Sequence, residues 1–177
     1  MTRLTRRQLL AASASLPLIS SARAQAGQVR IGVMGDLSGY SMEIGGPGAV
    51  LATRMAVEDH GGQAAGMKVD VIQADFLNKP DVAAQIARRW FDVENVDAIT
   101  DLPNTPSALA VARLGKEREK IILVAEAATP ELTTGQCSPT TVHIADDTNS
   151  LAAGTARALL ERGLKSWFFL TADFGFG

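Results

Sequence analysis

From residue 29 to residue 171, short apolar runs alternate with amphipathic stretches of about 12 residues, and Gly, Pro or Asn punctuates the joins. That alternation constrains the fold more than any other feature, because strands separated by helix-length segments pair in parallel through crossovers. The first run, Val29-Arg30-Ile31-Gly32-Val33-Met34, reads as a strand, and a Gly-rich polar loop over 36–46 follows it. A helix is predicted over 47–60, where Val50, Leu51, Met55 and Val57 share a helical spacing; Pro47 suits its first turn and Gly61-Gly62 its end. A strand over 67–74 leads to a helix opened by Pro80-Asp81 and carrying Val82, Ile86, Trp90 and Val93. A third strand over 96–100 leads to a helix from Thr105-Pro106-Ser107 that carries Leu109, Val111, Ala112 and Leu114 and runs out in the charged 116–120 segment. Strand 121–124, a helical turn over 129–132, a brief strand over 142–144 and a helix over 149–161 ended by Gly163 come next. Ser166-Trp167-Phe168-Phe169-Leu170-Thr171 is the sixth predicted strand.

The fold class expected is α/β, a doubly wound parallel sheet with helices on both faces. Ligands of such sheets sit at the carboxyl ends of the strands, where the loops 36–46, 75–79, 101–106 and 125–130 would meet. The sixth strand is too apolar to stand uncovered, so the 177 residues are expected to be the front part of a longer two-lobed protein.

A net charge of −2 with 20% charged residues, mixed in sign along the chain, leaves no basic face for nucleic acid. Residues 1–26 read as an export signal, with basic Arg3, Arg6 and Arg7, an apolar stretch over 9–21 and small-x-small sites at Ala22-Arg23-Ala24 and Ala24-Gln25-Ala26. Thr5-Arg6-Arg7-Gln8-Leu9-Leu10 fits the twin-arginine type and is preferred to a general secretory signal. Export places the mature chain in an oxidising compartment. The single cysteine, Cys137, is then either buried or paired with a cysteine beyond residue 177.

Motifs narrow the chemistry by what they omit. G-x-G-x-x-G, the phosphate-loop string and the G-x-S-x-G elbow do not occur. His60 and His143 stand far apart, outside any metal-ligand spacing, and Cys137 has no adjacent base. No cofactor or metal is expected, and no catalytic residue is assigned. The loop 36–46, with Asp36-Leu37-Ser38-Gly39, is longer than the two to six residues usual for a βα connection. It is either a surface loop built on glycine turns or one wall of a ligand cleft, and its place at a strand end favours the second. In Asp101-Leu102-Pro103-Asn104-Thr105-Pro106-Ser107, Asn104 or Thr105 caps the helix that follows, and free N–H groups at such a start also bind carboxylates. Glu126-Ala127-Ala128-Thr129-Pro130-Glu131 offers the same chemistry, with small side chains that admit a ligand to the backbone. Asp146-Asp147 reads as a hinge or cap before the 149–161 helix.

At these loops the chain resembles the type I periplasmic solute-binding proteins of the branched-chain amino acid (Leu/Ile/Val) ABC importers. The residues that carry the likeness are Ile31-Gly32-Val33-Met34-Gly35-Asp36-Leu37-Ser38-Gly39, Asn78-Lys79-Pro80-Asp81-Val82, Ala127-Ala128-Thr129-Pro130-Glu131-Leu132-Thr133 and Trp167-Phe168-Phe169-Leu170-Thr171-Ala172-Asp173-Phe174, and their order covers 28–177. The resemblance implies two lobes that close on a ligand, with 27–146 as the first lobe and 147–177 as the hinge crossing and the start of the second. It implies that Asn104 and Thr105, then Ala127, Ala128 and Thr129, hold a ligand carboxylate through N–H and hydroxyl groups. Ile44 falls where some members place an aromatic contact, and Phe176 near an aromatic of the second lobe that covers the ligand.

Two departures widen the ligand class to other small carboxylates or amides. Asn104 stands where amino-acid binders commonly carry Ser, and Glu126 would repel an anion unless turned away. An acid to hold a ligand ammonium is expected in the part of the protein beyond residue 177. The function implied is the substrate-binding component of an ABC importer, periplasmic, a monomer when full length, partnered by a membrane permease and not an enzyme. A sensory receptor of the same fold is the alternative, and an exported α/β enzyme stands behind it.

Overall fold

A computed structural model describes residues 27–173 and 175. The predicted export signal and Phe176 therefore lie outside the described residues.

Six strands form one sheet in the order β2-β3-β1-β4-β5-β6. β1 (Gln28–Gly35) pairs in parallel with β3 (Met67–Asp75) on one side and with β4 (Ala98–Asp101) on the other. β5 (Ile121–Val124) and β6 (Thr141–His143) extend the parallel run. The chain steps from β1 outward to β3, then crosses back over β1 to β4, so the direction of winding reverses between β1 and β4. That reversal opens a crevice at the carboxyl ends of the two strands.

The helices follow from local signals. α1 (Met42–Gly45) is a single turn inside the loop after β1, and α2 (Pro47–Asp59) starts on its proline. α3 (Pro80–Asp92) also opens on proline and buries Ala83, Ala87, Trp90 and Phe91, a stripe at the helical period. α4 (Thr105–Glu117) is capped by Asn104, whose Oδ1 accepts from Ser107 N–H at 3.1 Å, and it buries Ala108, Val111, Ala112 and Leu114. α5 (Thr148–Glu161) is capped by Asp147, whose Oδ1 accepts from Ser150 N–H at 2.8 Å.

α3 and α4 pack against the face of the sheet that presents Met34, Ile99, Ile122 and Val124, and these residues share one apolar cluster with Trp90 and Phe76. Trp90 lies flat on β1 because Gly32 has no Cβ; one built there would overlap the indole ring. Val33 points the opposite way by strand alternation, toward the side of α2 and its buried Val50.

Four sequence expectations are corrected. Residues 166–171 form no strand: Phe168 and Leu170 are each 92% exposed, and among the described residues they meet no strand that would complete their hydrogen bonds. Composition favours a strand there, but a strand exists only when paired. β2 (Gln63–Ala64), which the apolar pattern does not signal, forms a hairpin with β3 through Ala65-Gly66, both at positive φ. The loop 36–46 contains the helical turn α1. Cys137 is exposed, which removes the buried alternative.

Candidate functional site

A concavity of about 230 Å³ opens at the β1/β4 crevice, lined by Tyr40, Ser41, Ile44, Pro103, Asn104, Thr105, Glu126 and Ala128. Three loops meet there, after β1, β4 and β5, as the winding of the sheet requires.

The first wall is organised by Asp36. Its buried carboxylate accepts from the N–H groups of Gly39 at 2.7 Å and Ser41 at 2.8 Å, and from the side-chain amide of Asn78. Asp36 N–H in turn donates to Gly45 O at 3.0 Å, closing the loop on itself. The loop thus holds Tyr40 and Ile44 out on the cleft, 72% and 70% exposed. Asp75 steadies the same wall from β3. Burial opposes its ionisation, but the Ser38 hydroxyl and the Leu77 and Leu37 N–H groups outweigh it and hold the carboxyl below its ordinary value.

The second wall is the entry to α4. Asn104 spends its carbonyl oxygen on Ser107, accepting from the N–H and from the hydroxyl at 2.8 Å. Among the described residues its amide NH2 makes no hydrogen bond, and the N–H of Thr105 stands at the positive end of the helix.

The third wall is the loop after β5. Glu126 and Ala128 line the cleft, whereas Ala127 and Thr129 are buried beside it. The Ala127 carbonyl pairs with His143 Nε2 at 2.7 Å and accepts from Thr129 N–H at 3.1 Å. Thr129 Oγ1 accepts from Glu131 N–H at 3.4 Å and so caps the 3-10 turn Pro130–Leu132. Among the described residues, the N–H groups of Ala127 and Ala128 bond to no other backbone group.

Of the residues singled out in the sequence, the structure gathers Ile44, Asn104, Thr105 and Ala128 on one cleft and sets Ala127 and Thr129 just behind it. It adds Tyr40, Ser41, Pro103 and Glu126. Tyr40, the single tyrosine, was not singled out in the sequence; the signal it carried was its place in a Gly-rich loop at a strand end, and an aromatic thus stands four residues before Ile44.

Asp101 was not foreseen at all. It ends β4 at φ 84°, with Leu102 at φ 63°, a left-handed backbone that costs non-glycine residues about 1–3 kcal/mol each. Its side chain is buried, and among the described residues neither carboxylate oxygen has a hydrogen-bond partner. Glu126 Oε2 is likewise buried without a partner. Burial, with the charge of Glu126 adding to it, pushes Asp101 up to about 8, and burial raises Glu126 as well.

The periplasmic binding protein family matches residues 28–177. The chain belongs to that family. A crystal structure of a periplasmic binding protein from Burkholderia mallei aligns with a TM-score of 0.81 at 42% identity, covering 85% of this chain and 40% of that one. A branched chain amino acid ABC transporter periplasmic ligand-binding protein from Burkholderia xenovorans LB400 aligns with a TM-score of 0.77 at 36% identity, covering 85% and 40%. An ABC-transporter solute binding protein from R. palustris, in complex with 4-hydroxybenzoate, aligns with a TM-score of 0.64 at 26% identity, covering 78% and 37%. No curated protein matches the chain. The fold is the type I periplasmic binding protein fold of ABC-transporter solute-binding proteins, a family of binders that implies a periplasmic location. This periplasmic binding protein spans about 40% of the length of the first two relatives.

Proposed function

We propose that this periplasmic binding protein is the receptor of an ABC importer for branched-chain amino acids or related small carboxylates and amides. The ligand would be trapped between the lobe described above, 27–146, and a second lobe that starts with 147–177, then handed to a membrane permease. Export through residues 1–26 would deliver the chain to the periplasm. The observation that carries this reading is the set of N–H groups of Thr105 and Ala128 at the β1/β4 crevice and of Ala127 just behind it, which no other backbone group uses among the described residues. Such a set suits a carboxylate. The branched-chain amino acid transporter relative at 36% identity and the 4-hydroxybenzoate complex at 26% identity support the class of small carboxylates.

Asn104, Thr105, Ala127, Ala128 and Thr129 would hold the carboxylate, Ile44 would cover the side chain, and Phe176 would close from the other lobe. The affinity would come from a few aligned hydrogen bonds in a water-poor cleft. Calorimetry on the full-length protein with leucine, isoleucine, valine and benzoate tests this. Thr129→Ala is expected to weaken the bound ligand by about 1–2 kcal/mol, the value of a hydrogen bond to a charged group. Unchanged affinity would remove Thr129 from the site.

A further inference from the structure

We propose that Asp101 and Glu126 form a carboxyl pair that carries one negative charge in all and receives the ammonium group of a zwitterionic amino acid, so that the acid recognising the ligand amine belongs to the first lobe. This rests on the reading of the cleft as a ligand site.

The geometry is specific. Asp101 leaves the end of β4, Glu126 follows the end of β5, and both reach toward Gly45 in the loop after β1. A Cβ built on Gly45 would stand 2.5 Å from Glu126 Oε2 and 2.8 Å from Asp101 Oδ1. A Cβ on Gly35 would stand 2.5 Å from Asp101 Oδ2. Two glycines therefore make the room that the pair occupies. Asp101 is 2% exposed with both oxygens unpartnered, and the unpartnered Oε2 of Glu126 belongs to a side chain that lines the cleft.

Two ionised carboxylates side by side without a cation are strongly disfavoured, and keeping one proton relieves the repulsion. Among the described residues, no ion pair involves either acid. Other titratable groups on the elements that frame the crevice are Asp36 after β1, Asp75 at the end of β3 and His143 on β6. Asp36 is spent on Gly39, Ser41 and Asn78, Asp75 on Ser38 and Leu77, and His143 on the Ala127 carbonyl. Among the described residues, none of the three makes an ion pair or a hydrogen bond with either acid. A monoanionic pair beside the N–H groups of Thr105 and Ala128 gives the cleft one end that accepts and one end that donates. An amino acid matches both, and a simple carboxylate only the second.

Two measurements on the full-length protein decide the matter. In the first, NMR of the side-chain carboxyl carbons is followed against pH without ligand. One carboxyl is expected to titrate near pH 8, and Glu126→Gln is expected to move that step down by at least one pH unit. If every carboxyl titrates below about pH 6, the single negative charge of the pair is overturned. In the second, calorimetry compares L-leucine, isovalerate (the same skeleton without the amine) and leucinamide (without the carboxylate). Leucine is expected to bind tighter than isovalerate. Glu126→Gln should cost leucine at least about tenfold and leave isovalerate unchanged or tighter. If Glu126→Gln does not fold, Glu126→Asp, which withdraws the charge by one methylene, is expected to show the same selectivity. Equal losses for leucine and isovalerate, or none for leucine, overturn the ammonium role while the cleft stands. If none of the three probes binds the wild-type protein, the amino-acid cleft falls with it, and the titration still decides the charge of the pair.

Discussion

Asp97 and Asp101 bracket β4, four residues apart, and live under opposite conditions. Asp97, at the amino end, accepts from Arg30 N–H at 2.9 Å and lies 3.4 Å from Lys120 Nζ. Around it Arg30 pairs with Asp70 at 2.9 Å and donates to the Glu94 carbonyl at 2.7 Å. Asp101, at the carboxyl end, has among the described residues no cation and no donor, and its backbone is left-handed. One end of the sheet is electrostatically settled and the other is not. The parallel topology explains which is which: loops at the carboxyl ends converge on the crevice, so backbone strain and unpartnered carboxyl groups collect there.

The largest effect that would break this contrast is on pH dependence. Asp101 keeps its proton in the folded state up to about pH 8, whereas the unfolded chain releases it near 3.8. The folded state therefore binds more protons between those values, and stability falls as pH rises through that window. Asp101→Asn should flatten the fall, with its advantage over the wild type growing to a few kcal/mol between pH 5 and 8 in urea unfolding. A constant difference would place Asp101 among ordinary acids. Next is Asp36→Ala, which strands the N–H groups of Gly39 and Ser41 and the Asn78 amide. A loss of about 3 kcal/mol is expected from the same unfolding curves. Gly35→Ala pushes a methyl onto Asp101 Oδ2 and the Gly45 carbonyl. It should cost about 2 kcal/mol as overpacking and, if the pair carries one charge, shift the pH dependence too. The smallest effect belongs to the settled end. Asp97→Asn exposes little and loses partly solvated pairs, so a change of about 1 kcal/mol or less is expected, shrinking further in high salt.

The contrast also marks what a sequence discloses. The sheet was legible because its evidence is local: Pro47, Pro80 and Pro106 at helix starts, the spacing of Ala83, Ala87 and Trp90, and the apolar run of β5. β2 was not, since two residues carry no period and the Ala65-Gly66 turn lacks the usual Asn-Gly signal. The segment 166–171 misled because composition reports a preference for strands while pairing depends on a neighbour. In the cleft, Asn104 and Thr105 were singled out as the start of a helix and Ala128 as a small side chain in the loop after β5, and all three line the concavity. Asp101 and Glu126 were visible as acids, but their meaning lies in burial and in mutual approach across loops that start 25 residues apart, and no one-dimensional pattern carries that.

His143 Nε2 rests on the Ala127 carbonyl, so the last strand of the sheet grips the loop after its neighbour by a single peptide oxygen. β6 is also the strand from which the chain runs on through Asp147 into α5. That imidazole joins the strand leading into α5 to the loop that rims the crevice. Protein engineers seeking to retune the grip without touching the crevice would begin with that ring.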